Sequence, residues 1–123
     1  MSIYESGEDY LEAILMVSER KEDVHAIDIV NELGFSKPSV SIALKKLKEQ
    51  GYITIDEMNH LHLTKSGLEI ANNIYERHKI LTEILTSIGV SQEVAEEDAC
   101  KIEHDLSLES WEKVKKYYNE KLK

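Results

Sequence analysis

Apolar side chains recur near the start of the chain at the spacing of a helix. Tyr10, Leu11, Ile14, Leu15 and Val17 fall in one arc at about 100° per residue, while Asp9 and Glu12 fall on the other side. This pattern predicts a helix from Tyr4 to Arg20. A second is predicted from Ala26 to Leu33, stopped by Gly34. Ser36 is placed to cap a third, with Pro38 in its first turn, where a missing N–H costs nothing. Val40, Ala43, Leu44 and Leu47 give that helix a buried face, and Gly51 ends it. Apolar and polar residues then alternate over 52–55 and 60–63 around the polar turn Asp56-Glu57-Met58-Asn59, the pattern of a β-hairpin. Thr64 caps a long helix from Lys65 to Ser87, which Gly89 ends. Ser91 caps a fifth helix. Ser107 caps a sixth, running from Leu108 towards Lys121 with Trp111, Val114 and Tyr118.

The predicted fold class is mainly α: a winged helix-turn-helix over residues 1–63 and an α-helical domain over 64–123. The third helix is the candidate recognition helix, because its buried face leaves Ser39, Ser41, Ile42, Lys45 and Lys46 pointing outward. Ser36, Ser39 and Ser41 offer hydroxyls for phosphates or base edges. Pro38 and Ile42 suit thymine methyls, and Lys45 and Lys46 reach phosphates. Lys37 stands at the helix start, where backbone N–H groups also face an anion. His60 and His62 in the hairpin are in reach of the backbone or minor groove, or are simply solvated. Two blander readings stand beside this one: an ordinary helical core with a solvated lysine face, and a winged-helix protein-interaction module.

Charge changes the picture. The 123 residues carry 24 acids against 15 Lys and Arg, a net charge of -9, which opposes binding to phosphates. The charge is segregated, however. Residues 36–48 hold Lys37, Lys45, Lys46 and Lys48 and no acid, whereas acids crowd residues 5–12 and 93–105. Cations bound at the acidic segments would remove the local negative charge. A chain this short buries proportionally little surface, so a dimer would help it. One cysteine, Cys100, excludes an internal disulfide framework and suits a reducing compartment. With neither a membrane-length apolar run nor a leader pattern, a soluble cytoplasmic protein is expected.

Ligand-type side chains recur at helical spacing. Asp9 and Glu12 are neighbours at i, i+3. His78 lies on the apolar side of the long helix, among Ala71, Ile74, Leu81 and Leu85. Glu96, Cys100, Glu103 and His104 share one face of the fifth helix, and Ala95, Ala99, Ile102 and Leu106 form a separate apolar stripe. Burying so many carboxylates without a cation would be costly. Mixed O, N and S donors suit Mn(II), Fe(II), Co(II) or Zn(II) better than Ca(II) or Mg(II).

Asp9-Tyr10-Leu11-Glu12, Ser36-Lys37-Pro38-Ser39-Val40-Ser41, Leu63-Thr64 with Gly67, Arg77-His78 and Ala99-Cys100-Lys101-Ile102-Glu103-His104 together resemble the diphtheria toxin repressor and manganese transport regulator family. The resemblance spans nearly the whole chain. It implies a homodimer formed through the helical domain, metal-activated binding to a palindromic operator and repression of metal-uptake genes, in the two-domain form without an SH3-like domain. By matched motif, Asp9, Glu12, His78, Glu103 and His104 stand where the manganese branch has its ligands. Cys100 stands where that branch has Glu and the iron branch has Cys, while the iron branch has Met in place of Asp9. Glu96 falls where the iron branch has a His of its ancillary site, and Thr82 where it has an ancillary Glu. This hybrid set leans to Fe(II), keeps Mn(II), and admits Zn(II) or Co(II) in vitro, with one or two ions per protomer.

The mechanism this implies starts from repulsion among Asp9, Glu12 and Glu103 in the metal-free chain. Neutralising it would hold the first helix to the fourth and fifth and fix the spacing of paired recognition helices. Two rival readings remain: a carboxylate-bridged di-metal oxidase, which needs Glu-x-x-His on two helices, and a metal-independent winged-helix regulator.

Overall fold

The computed structural model describes residues 5–122. In chain order the elements are α1 (Glu5–Ser18), α2 (Ala26–Leu33), α3 (Lys37–Glu49), β1 (Ile53–Ile55), β2 (Leu61–Leu63), α4 (Lys65–Ser87), α5 (Gln92–Asp105) and α6 (Leu108–Tyr117), then a π-helical turn, Tyr118–Leu122. Packing divides the chain into two compact units, one ending at Asn72 and the other starting at Asn73, so α4 contributes to both. No described helix is long and apolar enough to cross a membrane.

The first unit is a winged helix-turn-helix. α1 ends at Ser18, two residues short of the sequence expectation, and its predicted first residue, Tyr4, lies outside the described residues. The Ser18 hydroxyl donates to the Leu15 carbonyl at 2.6 Å, a local bond that competes with helix propagation. α2 starts where the Asp28 carboxylate accepts from the His25 N–H at 2.8 Å, a bond that holds Asp28 below the usual carboxylate range. Gly34 then takes the left-handed φ of 74° that ends α2. Ser36 caps α3 by accepting from the Ser39 N–H at 3.3 Å.

Val40, Leu44 and Leu47 of α3 enter a core with Tyr10, Leu11, Ile14 and Val17 of α1, Ile29 of α2, Ile53 and Leu61 of the wing and Ala71 of α4. The wing is an antiparallel pair with Ile53 opposite Leu63, Thr54 opposite His62 and Ile55 opposite Leu61. Its strands are three residues each, shorter than the alternation suggests. The segment before α2 lies beside β2, since the Leu61 N–H donates to the Val24 carbonyl at 2.7 Å. Thr64 joins wing to helix: its hydroxyl donates to the Gly51 carbonyl at 2.7 Å and accepts from the Gly67 N–H at 3.2 Å. Gly67 is pressed against the wing so closely that a Cβ there would stand 2.0 Å from the Tyr52 carbonyl oxygen.

The second unit is all helix. Ile74, Ile80 and Leu81 of α4, Ala95 and Ala99 of α5 and Trp111 of α6 are its buried hydrophobic residues. Ser91 and Ser107 cap α5 and α6, accepting from the N–H groups of Val94 and Ser110. α6 gives way to the π-helical turn at Tyr118, where the sequence predicts helix towards Lys121. In that last stretch the Tyr118 hydroxyl donates to Glu83, and Lys115 pairs with Glu76 at 2.9 Å.

Candidate functional site

Within the helical unit, α4 and α5 bring three predicted ligands together. Glu103 is fully buried. Its Oε2 lies 3.1 Å from His78 Nδ1 and its Oε1 lies 3.4 Å from His104 Nε2. Oε1 accepts no hydrogen bond among the described residues. The His104 side chain is 6% exposed and that of His78 is 18% exposed, so water cannot freely solvate the group. A buried carboxylate needs positive charge or donors at both oxygens. Either two protonated imidazoles supply it, or one divalent cation held by the same nitrogen and oxygen atoms does. One carboxylate with two imidazoles is a fitting donor set for a borderline divalent ion, and the orphaned Oε1 is the atom such an ion would satisfy.

Arg77 braces this arrangement. Its Nη1 donates to the Glu103 main-chain carbonyl at 3.0 Å, and its guanidinium lies 5.4 Å from the Trp111 ring centroid. One side chain thus links α4, α5 and α6 through a hydrogen bond and a cation–π contact. Its position beside His78 was the available signal in sequence, and nothing there distinguished it from a surface arginine.

Two other predicted ligands, Cys100 and Glu96, fall differently. Cys100 is exposed on α5, one turn before Glu103 and His104. Glu96 is exposed too, and its carboxylate accepts from the Gln92 amide at 3.1 Å. Thr82 is buried, with a hydroxyl that has no hydrogen bond among the described residues. Asp9 and Glu12 belong to α1 in the first unit. Sequence placed both away from the apolar side, yet Glu12 is only 6% exposed. The reason is that Tyr10, Leu11, Ala13 and Ile14 are buried as well, so this stretch of α1 is covered nearly all round.

In the winged unit, all eight predicted DNA contacts are exposed: Ser36, Lys37, Pro38, Ser39, Ser41, Ile42, Lys45 and Lys46. Ile42 is an aliphatic side chain left 70% exposed on a helix whose opposite face is fully buried. The wing also holds a cluster that sequence reading left among solvated residues. Asp56 Oδ2 lies 2.9 Å from His62 Nε2 and 3.3 Å from His60 Nδ1. The bond with His62, then the His60 and Met58 N–H groups, pull the Asp56 carboxyl down to about 2. Its sequence signal is Asp-x-x-x-His-x-His spanning a turn.

Two family models together cover most of the chain. Residues 2–61 match the N-terminal DNA-binding domain of iron-dependent repressors, and residues 64–121 match their metal-binding and dimerisation domain. An uncharacterised HTH-type transcriptional regulator of Methanocaldococcus jannaschii is 34% identical over 113 residues, 90% of each chain. The transcriptional regulator MntR of Salmonella typhimurium is 34% identical over 103 residues, covering 84% of this chain and 66% of that one. The solved manganese regulator SloR superposes with a TM-score of 0.81 at 29% identity, covering 97% of this chain and 55% of that one. The chain therefore spans about half the length of that solved regulator.

Proposed function

The chain belongs to the iron-dependent repressor family, and from that membership we propose that it is a metal-activated, DNA-binding repressor of metal-uptake and homeostasis genes, acting as a cytoplasmic homodimer. The family is one of metal-dependent transcriptional regulators and not of enzymes, which sets aside the oxidase and the metal-independent regulator.

The observation that carries the reading is Glu103, fully buried with one imidazole nitrogen facing each carboxylate oxygen. His78, Glu103 and His104 hold the ion, with Asp9 and Glu12 of α1 as further donors. When bound, a divalent cation supplies positive charge to carboxylates that otherwise repel one another. Fe(II) or Mn(II) is the physiological ion, one or two per protomer, and Zn(II) or Co(II) substitutes in vitro. Cys100 turned inward would favour Fe(II), and Glu96 stands ready as an ancillary donor. Ser36, Lys37, Pro38, Ser39, Ser41, Ile42, Lys45 and Lys46 meet a palindromic operator. Two recognition helices of a dimer must match half-sites about 34 Å apart or a multiple of that. Any bias in how α1 is held therefore changes affinity through the state that fits DNA.

Fluorescence anisotropy on a palindrome from the chain's own upstream region tests this, with Mn(II), anaerobic Fe(II) and a chelator control. Binding should be metal-dependent, reversed by chelator, and lost in Glu103→Ala and His104→Ala variants that remain folded. A Glu103→Ala variant whose operator binding still responds to metal like the parent would remove the assignment.

A further inference from the structure

The cluster at the wing belongs to neither the helical-unit centre nor the recognition helix. Asp56, His60 and His62 present a carboxylate oxygen and two imidazole nitrogens that all lie within 4.8 Å of one another. Two of the three separations, 2.9 and 3.3 Å, run from Asp56 Oδ2 to His62 Nε2 and His60 Nδ1. Donors bound at about 2.0–2.2 Å around a tetrahedral ion stand roughly 3.3 Å apart, so the set needs little rearrangement to close on one.

The turn fixes these donors in place. Asp56 Oδ1 accepts from the N–H groups of Met58 and His60, both at 2.9 Å, which leaves Oδ2 to face the imidazoles. Asn59 takes a left-handed φ of 63°, folding His60 back over Asp56. The His60 side chain is 19% exposed and packs edge-on against the His25 ring, centroids 4.7 Å apart. His62 is paired across the strands with Thr54, so its direction is set by the register. Asp23 Oδ1, 3.8 Å from His60 Nδ1, adds negative potential on the open side.

We propose that the wing is a second metal site, in which Asp56 Oδ2, His60 Nδ1 and His62 Nε2 bind a borderline divalent cation of the Zn(II) class, water completing the shell. Two imidazoles exclude the hard ions Mg(II) and Ca(II), whose shells are built from oxygen. The site is distinct in residues and in structural unit from His78, Glu103 and His104. It stands whether or not the helical-unit centre acts as a sensor.

The test uses the full chain freed of any affinity tag, with Zn(II) and Co(II) as probes. Equilibrium dialysis against Zn(II) should give one equivalent fewer for His62→Gln than for the parent. Position 62 is exposed, with a side chain 54% open, so this variant folds. Asp56→Asn should do the same. Wing affinity should fall by more than the 10–100-fold that loss of a mere outer-shell partner costs. A Glu103→Gln/His104→Gln double variant should keep the wing equivalent, with a Co(II) d–d spectrum that His62→Gln then abolishes. In the double variant, Zn(II) should shift the ring-proton NMR signals of His60 and His62. Equal Zn(II) stoichiometry in parent and His62→Gln overturns the site, as does a double variant that binds no ion.

Discussion

The winged unit closes on aliphatic side chains: Leu11, Ile14, Val17, Ile29, Val40 and Ile53 are each no more than 1% exposed. Among the described residues, the helical unit contributes a single member to the largest fully buried side chains, and that member is a carboxylate, Glu103. Apolar burial is non-directional and needs no partner of opposite sign. A buried carboxylate is only as stable as its compensation. The winged unit therefore rests mainly on contacts indifferent to ionic conditions, Glu12 at 6% exposure being its buried carboxylate, while the helical unit is built around a group whose energy depends on what stands beside it. A sensor needs that second kind of interior, and a scaffold for a recognition helix needs the first.

The largest effect that would sharpen this contrast comes from the aliphatic core. Ile29→Ala should cost about 2–5 kcal/mol, read as a lower urea midpoint at unchanged slope, and the loss should be the same with Mn(II) or with chelator. A loss that metal erases would break the contrast. Metal itself should stabilise the parent by about 2.7 kcal/mol at a hundredfold excess over Kd. Glu103→Gln should abolish that gain while keeping its stability in chelator, and thermal melts with and without Mn(II) measure both. Gly67→Ala should cost about 1–3 kcal/mol by forcing a Cβ against the Tyr52 carbonyl; loss of the near-ultraviolet signal of Tyr52 would locate the damage at the wing. Ser36→Ala should cost about 1 kcal/mol by removing the α3 cap, measured by chemical denaturation, with no change in metal affinity.

Much of the fold is legible because its signals are local. Ser36, Ser91 and Ser107 cap the helices that sequence assigns to them, since a cap depends only on the next three residues. Val40, Leu44 and Leu47 are buried as their spacing requires. Other features depend on tertiary contact and carry no local mark. Glu12 reads as a polar-face residue because periodicity cannot tell how far around α1 the protein wraps. Arg77 looks like any surface cation until Trp111, 34 positions later in sequence, stacks against it. The convergence of His78, Glu103 and His104 is legible because helical spacing fixes the face each one occupies. Cys100, exposed on α5, shows that spacing alone does not set which way a side chain turns.

The contact at Gly67 has a consequence for how the molecule breathes. The Tyr52 carbonyl takes the Thr64 N–H at 3.0 Å while the Gly67 backbone lies directly against it. At this contact backbone meets backbone with no side chain between, so no rotamer change there can loosen the base of the wing from the first turn of α4. The two therefore form a single cooperative opening unit. Amide protons at Thr64 and Leu68 should therefore share the exchange protection of the strand amides at Ile53 and Leu63, so that exchange rates measured on the long helix would report on the wing.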